Sequence, residues 1–178
     1  QENWVKAIRY SEKYPAPDDV VMSGKSMKTL ALECQYFTYM LGSEWEEALH
    51  HLLYSLDFIE QLSDKRKVAD FYNDIAESYD HLGYKKKALE FAEKEITIFR
   101  ELVDGDTITY KDRKLLADGL LFISELRRKD KDIQRSIQDI EEAITIYEEL
   151  GDLKGISDGH MAIGRIYFAL SDVPKSID

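Results

Sequence analysis

The sequence predicts an all-α protein made of stacked antiparallel helix hairpins. Two observations lead to this prediction. Apolar residues recur at the spacing of one helix face through most of the chain. The same helical pattern also returns at intervals of roughly forty residues. A single hairpin cannot bury its apolar stripe alone, so repeated hairpins are expected to stack and to share one continuous core.

The clearest hairpin runs from Val68 to Leu102. The apolar stripe of its first half consists of Tyr72, Ile75, Ala76, Tyr79 and Leu82. Gly83 is expected to end this helix, because glycine readily adopts the left-handed conformation found just past a helix end. A second stripe begins at Ala88. Since the connection between the two stripes is short, the helices are expected to pack antiparallel, with Ala76 and Ala88 where they approach most closely.

Three alignments of the sequence with itself support the repeat. Small residues near the starts of alternate helices are separated by 41, 40, 48 and 40 residues. Residues 62–83 align without gaps on residues 150–171, so that Asp70 matches Asp158. Residues 96–99 match residues 144–147. The unit with the longest step is eight residues longer than its neighbours, so we expect a longer loop or longer helix ends there.

We expect the repeats to form a single domain of residues 1–178. Its predicted parts are a half-repeat at residues 1–17, repeats at residues 18–64, 65–105 and 106–151, and a partial repeat at residues 152–178. Pro15 and Pro17 separate the first two parts, because proline cannot continue a helix. The chain starts at Gln1 instead of methionine, and it starts and ends within a repeat. We therefore expect it to be a fragment of a larger protein.

The pattern resembles tetratricopeptide repeats (TPRs), in a longer variety of about forty residues per unit. The family signature is a bulky residue, a Leu-Gly or similar pair, a tyrosine, a turn with glycine, an aromatic residue and an alanine. In the clearest copy it reads Tyr72, Ile75-Ala76, Tyr79, Gly83 and Ala88. The copy at residues 111–150 differs most, since Arg127 stands where the family has the tyrosine. The resemblance covers almost the whole chain.

This resemblance implies a fold and a class of function. The fold is a right-handed superhelical solenoid of antiparallel hairpins. The function is binding of a protein or peptide without catalysis, and we expect a regulatory or scaffolding segment of a larger protein. The alternative is the sensor region of a TPR-containing signalling protein, similar to those attached to histidine kinases or found in peptide-responsive regulators.

Composition argues against several classes of partner. The net charge of −11 argues against nucleic acid and against an anionic membrane surface. No apolar run is long enough to span a bilayer. Cys34 is the single cysteine, so an internal disulfide cannot form. This suits a reducing, cytoplasmic setting, with a secreted or periplasmic one left open. The oligomeric state is left open.

The histidines of the first half do not form a convincing site. His50 and His51 lie beside Glu46 and Glu47. A structural metal site normally needs about four ligands, so a solvated helix face is the simpler interpretation. His81 follows Asp80, as in an acid–base cluster, but neither a nucleophile nor a phosphate-binding loop accompanies it. No catalytic residue, metal site or cofactor is therefore predicted.

Two further chemically distinctive residues fall on packing positions. His160 takes the place of the bulky signature residue in the last copy, and Cys34 lies on the packing stripe of an earlier one. We expect His160 to be a core histidine with satisfied hydrogen bonds. Cys34 is expected to behave as a small apolar residue.

The resemblance also predicts a binding surface. In the TPR family the first helix of each repeat lines a concave groove, through positions offset from the packing stripe. Those positions hold Thr29, Leu32, Glu33, Tyr36 and Tyr39 in the first copy, then Asp70, Asn73, Glu77 and Asp80, then Asp118, Leu121, Glu125 and Arg128, and finally Asp158, Met161, Arg165 and Phe168. The lysine and asparagine clamp that some members use for carboxylates is missing, since Asn73 matches it in residue type alone. The excess of carboxylates predicts a basic or neutral partner segment.

Overall fold

The computed structural model of the chain describes residues 45–60, 64–103 and 109–171. In these ranges the backbone forms helices and no strand. The helices are α1 (Trp45–Ile59), α2 (Lys65–His81), α3 (Lys85–Val103), α4 (Tyr110–Lys129), α5 (Ile133–Leu150) and α6 (Leu153–Ser171). The predicted all-α class is thus confirmed. The half-repeat predicted at residues 1–17 lies outside the described residues, as does Cys34.

The chain divides into two compact units, each described here by itself. The unit of residues 1–83 contains α1 and α2, which pack against each other. In the unit of residues 84–178, α4 packs against α3 and α5, and α6 packs against α5 and touches α4. Consecutive helices of this second unit are therefore neighbours in space, as stacked hairpins require. The hairpin predicted at residues 68–102 is divided between the two units.

Three residues separate α4 from α5, and three residues also separate α2 from α3. The positions are related by an offset of 48 residues, which pairs Gly83 with Lys131. Both backbones are left-handed, with φ of 81° at Gly83 and 67° at Lys131. Glycine adopts this conformation without steric cost, whereas a residue with a Cβ is strained there. The left-handed backbone is therefore present at this position in both copies, although only the first copy has a glycine there.

The eight extra residues of the long unit lengthen both the helix ends and the segment between α3 and α4. Six residues separate α3 from α4, but only two separate α5 from α6. Asp152 caps α6, since its Oδ1 accepts a hydrogen bond from the backbone N–H of Gly155 at 3.0 Å. The matching Asp112 lies inside α4, because Thr109 is the N-cap there and forms a reciprocal capping box with it. The insertion thus lengthens α4 at its start as well as the segment between α3 and α4.

Glycines allow close helix contacts at equivalent positions of α4 and α6. A Cβ added at Gly119 would lie 2.9 Å from Cδ1 of Ile96 in α3. One added at Gly159, forty residues later, would lie 2.5 Å from Cγ1 of Ile144 in α5. Both distances are too short for a real Cβ, so each glycine sets how closely the preceding helix can approach. These contacts were not predicted from the sequence.

Candidate functional site

The predicted binding positions form one stripe on each of the first helices of the second unit. Asp118, Leu121, Glu125 and Arg128 follow the spacing of a helix face on α4, and Asp158, Met161, Arg165 and Phe168 follow it on α6. Each residue of the first set precedes its counterpart by forty residues. We call these eight residues the first-helix face. Helices α4 and α6 run in the same direction because both are antiparallel to α5, so equivalent residues are expected side by side.

The amino-terminal part of the first-helix face is acidic. The hydroxyl of Tyr147, a buried residue of α5, donates a hydrogen bond of 2.6 Å to Oδ1 of Asp118. Burial raises the pKa of Tyr147, and Asp118 and Asp158 raise it further, so both carboxylates lie near this hydroxyl. Lys114 donates to Asp152 at 2.7 Å and to Asp118 at 3.3 Å. Asp118 thus shares a hydrogen-bond network with Tyr147, Lys114 and Asp152, and Asp158 occupies the equivalent position on α6.

The carboxyl-terminal part of the face carries arginines. Two nitrogens of the Arg128 guanidinium, Nη2 and Nε, donate to the Glu125 carboxylate at 2.6 and 2.8 Å. The hydrogen bond from Arg128 lowers the pKa of Glu125, and the charge of Arg165 lowers it further. Helices α4 and α6 touch, and Arg165 occupies on α6 the position that Glu125 occupies on α4.

Apolar side chains on α6 extend this surface. Met161 is 54% exposed and Phe168 is 69% exposed. Their counterpart Leu121 is half-buried, because it packs against the cluster of Ile140, Ile144 and Ile166 between the helices. The face is therefore mixed, with charged groups at both ends and apolar groups mainly on α6.

In the first unit, α2 carries an acidic stripe of Asp70, Asn73, Glu77 and Asp80. Asp70 is exposed and the other three are half-buried. The amide of Asn73 donates to Oε1 of Glu77 at 3.5 Å, one helical turn away. We call these four residues the α2 stripe. Glu33, Tyr36 and Tyr39, which belong to the same predicted surface, lie outside the described residues.

The described histidines of the first unit contact other rings and are not arranged to bind a metal ion. The rings of His50 and His51 meet edge to face with centroids 5.8 Å apart. Burial, and then the charge of His50, lower the pKa of His51. The ring of His81 stacks on Trp45, with centroids 3.6 Å apart and planes 12° apart. Within the described ranges, no three His, Cys, Asp or Glu residues are arranged to hold a metal ion.

His160 is not a core residue. Its side chain is exposed on α6, which corrects the expectation from the signature pattern. Tyr167 and Leu170, on the same predicted packing stripe, are 58% and 48% exposed. In α4 the corresponding part of the helix is covered by α5, where Ser136 donates to the carbonyl of Ser124 at 2.8 Å. Signature position alone therefore does not decide burial; the presence of a covering helix does.

Sequence reasoning missed a buried ion pair between α4 and α5. Nη1 of Arg127 donates to both oxygens of Asp139, at 2.6 and 2.5 Å, and Nη2 donates to Glu93 of α3 at 3.3 Å. Burial raises the pKa of Asp139, although Arg127 opposes this shift. The repeat held the signal: at an offset of 48 residues, Arg127 and Asp139 replace Tyr79 and Phe91. The change from Tyr79 to Arg127 is visible in the repeat signature, whereas its link to Asp139 is not.

Among the described helices, none combines the length and the apolar character needed to cross a bilayer. Four of them carry ion pairs on their exposed faces, such as Arg113 with Glu149 at 2.9 Å and Arg100 with Glu142 at 2.6 Å. Such exposed pairs contribute little to stability, about 0–1 kcal/mol each. They mark helix faces that are solvated.

Comparison with known proteins identifies the fold. No family model matches the sequence, and no curated protein matches it. The crystal structure of BtubC (BKLC) from P. vanneervenii matches with a TM-score of 0.68 and 15% identity, over 97% of this chain and 66% of BtubC. The N-terminal domain of stress-induced protein-1 (STI-1) from C. elegans matches with a TM-score of 0.55 and 16% identity, over 75% of this chain and 92% of that domain.

A third structure, a Podospora anserina putative kinesin light chain with nearly identical TPR-like repeats, has a TM-score of 0.49 at 13% identity, too low to add to the fold assignment. The match covers 98% of this chain and 87% of that one. This chain spans just under two thirds of the length of BtubC. BtubC and the STI-1 domain are TPR-like repeat proteins, and the chain shares their helical-repeat solenoid fold.

Proposed function

We propose that this chain is a protein- or peptide-binding module and that it binds through the exposed stripes of its first helices. The supporting observation is the contact between α4 and α6, which carry equivalent residues forty positions apart. Asp118 and Asp158 occupy one pair of equivalent positions, and Glu125 and Arg165 another. Two parallel helices thereby present a continuous surface of charged and apolar side chains, which an extended or helical segment of a partner can contact.

The same proposal assigns the module a regulatory or scaffolding role in a larger protein. TPR-like solenoids present extended surfaces that suit partner binding rather than an enclosed reaction site. The known proteins with this fold are generally non-catalytic. The proposal therefore includes no catalytic step.

The charge of the α2 stripe favours a basic or neutral partner. Asp70, Glu77 and Asp80 are three carboxylates within eleven residues of one helix. Lysine and arginine side chains of a partner would be attracted to them, and acidic segments would be repelled. Because exposed charges are screened over about 8–10 Å at physiological ionic strength, this attraction should weaken as salt is added.

The test compares two triple variants of equal charge. One carries Asp70→Asn, Glu77→Gln and Asp80→Asn in the α2 stripe. The control carries Glu101→Gln, Glu141→Gln and Glu148→Gln, at exposed positions of α3 and α5. Both are titrated with fluorescent 15-residue peptides that share the same apolar residues but are basic, neutral or acidic, at low and at physiological salt.

We expect the α2-stripe variant to bind the basic peptide about tenfold more weakly at low salt, with a smaller salt dependence. The control should retain the wild-type affinity within about twofold, because its carboxylates lie off the first helices. Equal losses in both variants would mean that only net charge matters. No loss in either variant would contradict binding through the α2 stripe.

A further inference from the structure

The first-helix face of the second unit is not uniformly acidic. Its eight residues form four pairs of equivalent positions, each pair forty residues apart: Asp118 with Asp158, Leu121 with Met161, Glu125 with Arg165, and Arg128 with Phe168. Carboxylates therefore occupy the first pair, apolar residues the second, and arginines appear only in the third and fourth. The α2 stripe, in contrast, has no basic residue at any of its four positions.

The net charges at the two ends of the face have opposite signs. At the acidic end, three carboxylates (Asp118, Asp152 and Asp158) face one ammonium, Lys114, which leaves two negative charges. At the basic end, Arg128 and Arg165 face one carboxylate, Glu125, which leaves one positive charge. The ion pairs within each end therefore still leave the two ends with net charges of opposite sign.

The separation of the two ends has a definite length. Asp118 and Arg128 are ten residues apart on α4, which corresponds to about 15 Å along a helix axis. An extended chain covers that distance in four or five residues. The exposed side chains of Met161 and Phe168 lie along this path on α6. The surface thus offers an acidic site and a basic site with apolar contacts between and beside them.

Arg165 is available for a partner's carboxylate. It is exposed, and its charge acts on Glu125, but no carboxylate of the described residues forms an ion pair with it. Glu125 instead forms its hydrogen bonds with Arg128. An exposed guanidinium is well suited to a carboxylate, because its planar donors match both oxygens.

We propose that the first-helix face binds a dipolar segment of a partner protein, with a basic residue at Asp118 and Asp158 and, four or five residues away, an acidic residue at Arg128 and Arg165. Apolar residues between them contact Met161 and Phe168. This inference rests on the proposed function, and it specifies the partner chemistry for the second unit. A segment that is basic at both ends would place one positive charge against the arginines, and an acidic one would place a negative charge against the aspartates.

The experiment uses the full chain and three synthetic peptides of equal length and equal apolar content. The first is dipolar, with lysines at one end and glutamates at the other, five residues apart. The second has the same composition with the charges interleaved, and the third has lysines at both ends. We expect the dipolar peptide to bind about fivefold more tightly than either of the others at low salt.

Variants of the protein test the assignment of each end. Arg165→Glu should abolish the advantage of the dipolar peptide and make the peptide with lysines at both ends the tightest ligand. The matched control is Lys86→Glu, an equal charge reversal at an exposed residue in the first turn of α3. It should leave the order of the three peptides unchanged. Because both changes affect exposed residues, circular dichroism should show the same helix content in each.

A second measurement locates the peptide directly. A paramagnetic tag at the acidic end of the dipolar peptide should broaden the ring resonances of Phe168 more than the methyl resonance of Met161, and a tag at the basic end should do the reverse, because Met161 lies nearer Asp158 and Phe168 nearer Arg165. Equal broadening by the two tags, or a dipolar peptide that binds no better than the interleaved one, would overturn the inference and leave the proposed function standing. If no peptide broadens either residue, the proposed binding surface of this unit is wrong as well.

Discussion

At the scale of single residues, the most informative feature is a buried ion pair that stands where an earlier copy has two aromatic residues. Tyr79 and Phe91 of one copy correspond to Arg127 and Asp139 of the next. The side chains of Arg127 and Asp139 are only 16% and 8% exposed. Removing a charge from water is costly, so a buried ion pair is often no more stabilising than an apolar pair of the same shape.

A double-mutant cycle tests this pair. Each single change, Arg127→Tyr or Asp139→Phe, should lower the free energy of unfolding by about 3–5 kcal/mol, because it leaves a buried charge without its partner. Arg127→Tyr together with Asp139→Phe should recover most of that loss, since it restores the residues of the earlier copy. A cleft of about 270 Å³ beside the pair leaves room for the ring of phenylalanine. Urea unfolding of the variants measures the coupling, and additive effects would contradict the assignment.

Tyr72 makes the stability depend on alkaline pH. It is buried, and its hydroxyl donates to Oε1 of Glu60 at 2.7 Å. Burial, and then Glu60, raise the pKa of Tyr72 from 10.0 to about 12. In the unfolded chain the hydroxyl ionises near its ordinary pKa, so the folded protein retains the proton over a range in which the unfolded chain has lost it. The resulting stabilisation is complete below pH 10 and is lost as the pH rises through the folded-state pKa.

Comparison with Tyr72→Phe isolates this effect. The wild type should lose about 1 kcal/mol of unfolding free energy per pH unit above pH 10 relative to the variant, which lacks the ionisable hydroxyl. The difference in stability between the two proteins should therefore shrink between pH 9 and pH 11.5, as measured by urea unfolding at each pH. Tyr147 ionises in both proteins and cancels from the comparison. A difference that stays constant with pH would show that Tyr72 is not held in its neutral form.

At the scale of helices, two glycines of α6 occupy opposite environments. A Cβ at Gly159 would collide with Ile144 of α5, whereas one at Gly164 would meet no atom within 4 Å. Both residues lie inside the same helix, so the intrinsic gain in helix propensity on changing glycine to alanine is the same, about 1 kcal/mol. Any difference between the two substitutions therefore reports on the contact with α5.

We expect Gly164→Ala to raise the free energy of unfolding by about 0.5–1 kcal/mol. Gly159→Ala should lower it by about 1–3 kcal/mol, because Ile144 is held between helices and can move only by disturbing the packing. Thermal unfolding followed by circular dichroism distinguishes the two directions. If Gly159→Ala were also stabilising, α5 and α6 would not approach each other as closely as the structure indicates.

The repeat pattern predicts where the helices lie better than it predicts which of their residues are buried. The pairs of helices, the turn at residues 130–132 and the burial of Ala76 and Ala88 follow from local spacing and small residues. The exposure of His160 does not, because a residue on a packing stripe is buried only if another helix covers it. Asp112 and Asp152 give a second example. They occupy equivalent positions, but Asp152 caps the start of α6, whereas Asp112 lies inside α4, which begins earlier.

At the scale of the whole molecule, repetition explains how a charged chain makes specific surfaces. The net charge of −11 is spread over the sequence, yet α4 and α6 touch and carry equivalent residues forty positions apart. Small changes at these positions therefore change the charge of the surface from one copy to the next. The α2 stripe is acidic throughout, whereas the first-helix face ends in arginines and Phe168. We expect the two units to select different features of a partner.

By itself, the sequence determined the all-α class, the repeat and the candidate surface positions, because helical spacing and small residues at close approaches are local properties. Tertiary structure alone decided which residues meet across helices. It brought α4 into contact with α6, paired Arg127 with Asp139 and placed Gly159 against Ile144. These relations depend on the distances between packed helices and on how far each side chain is removed from water. A linear pattern of residues carries neither quantity.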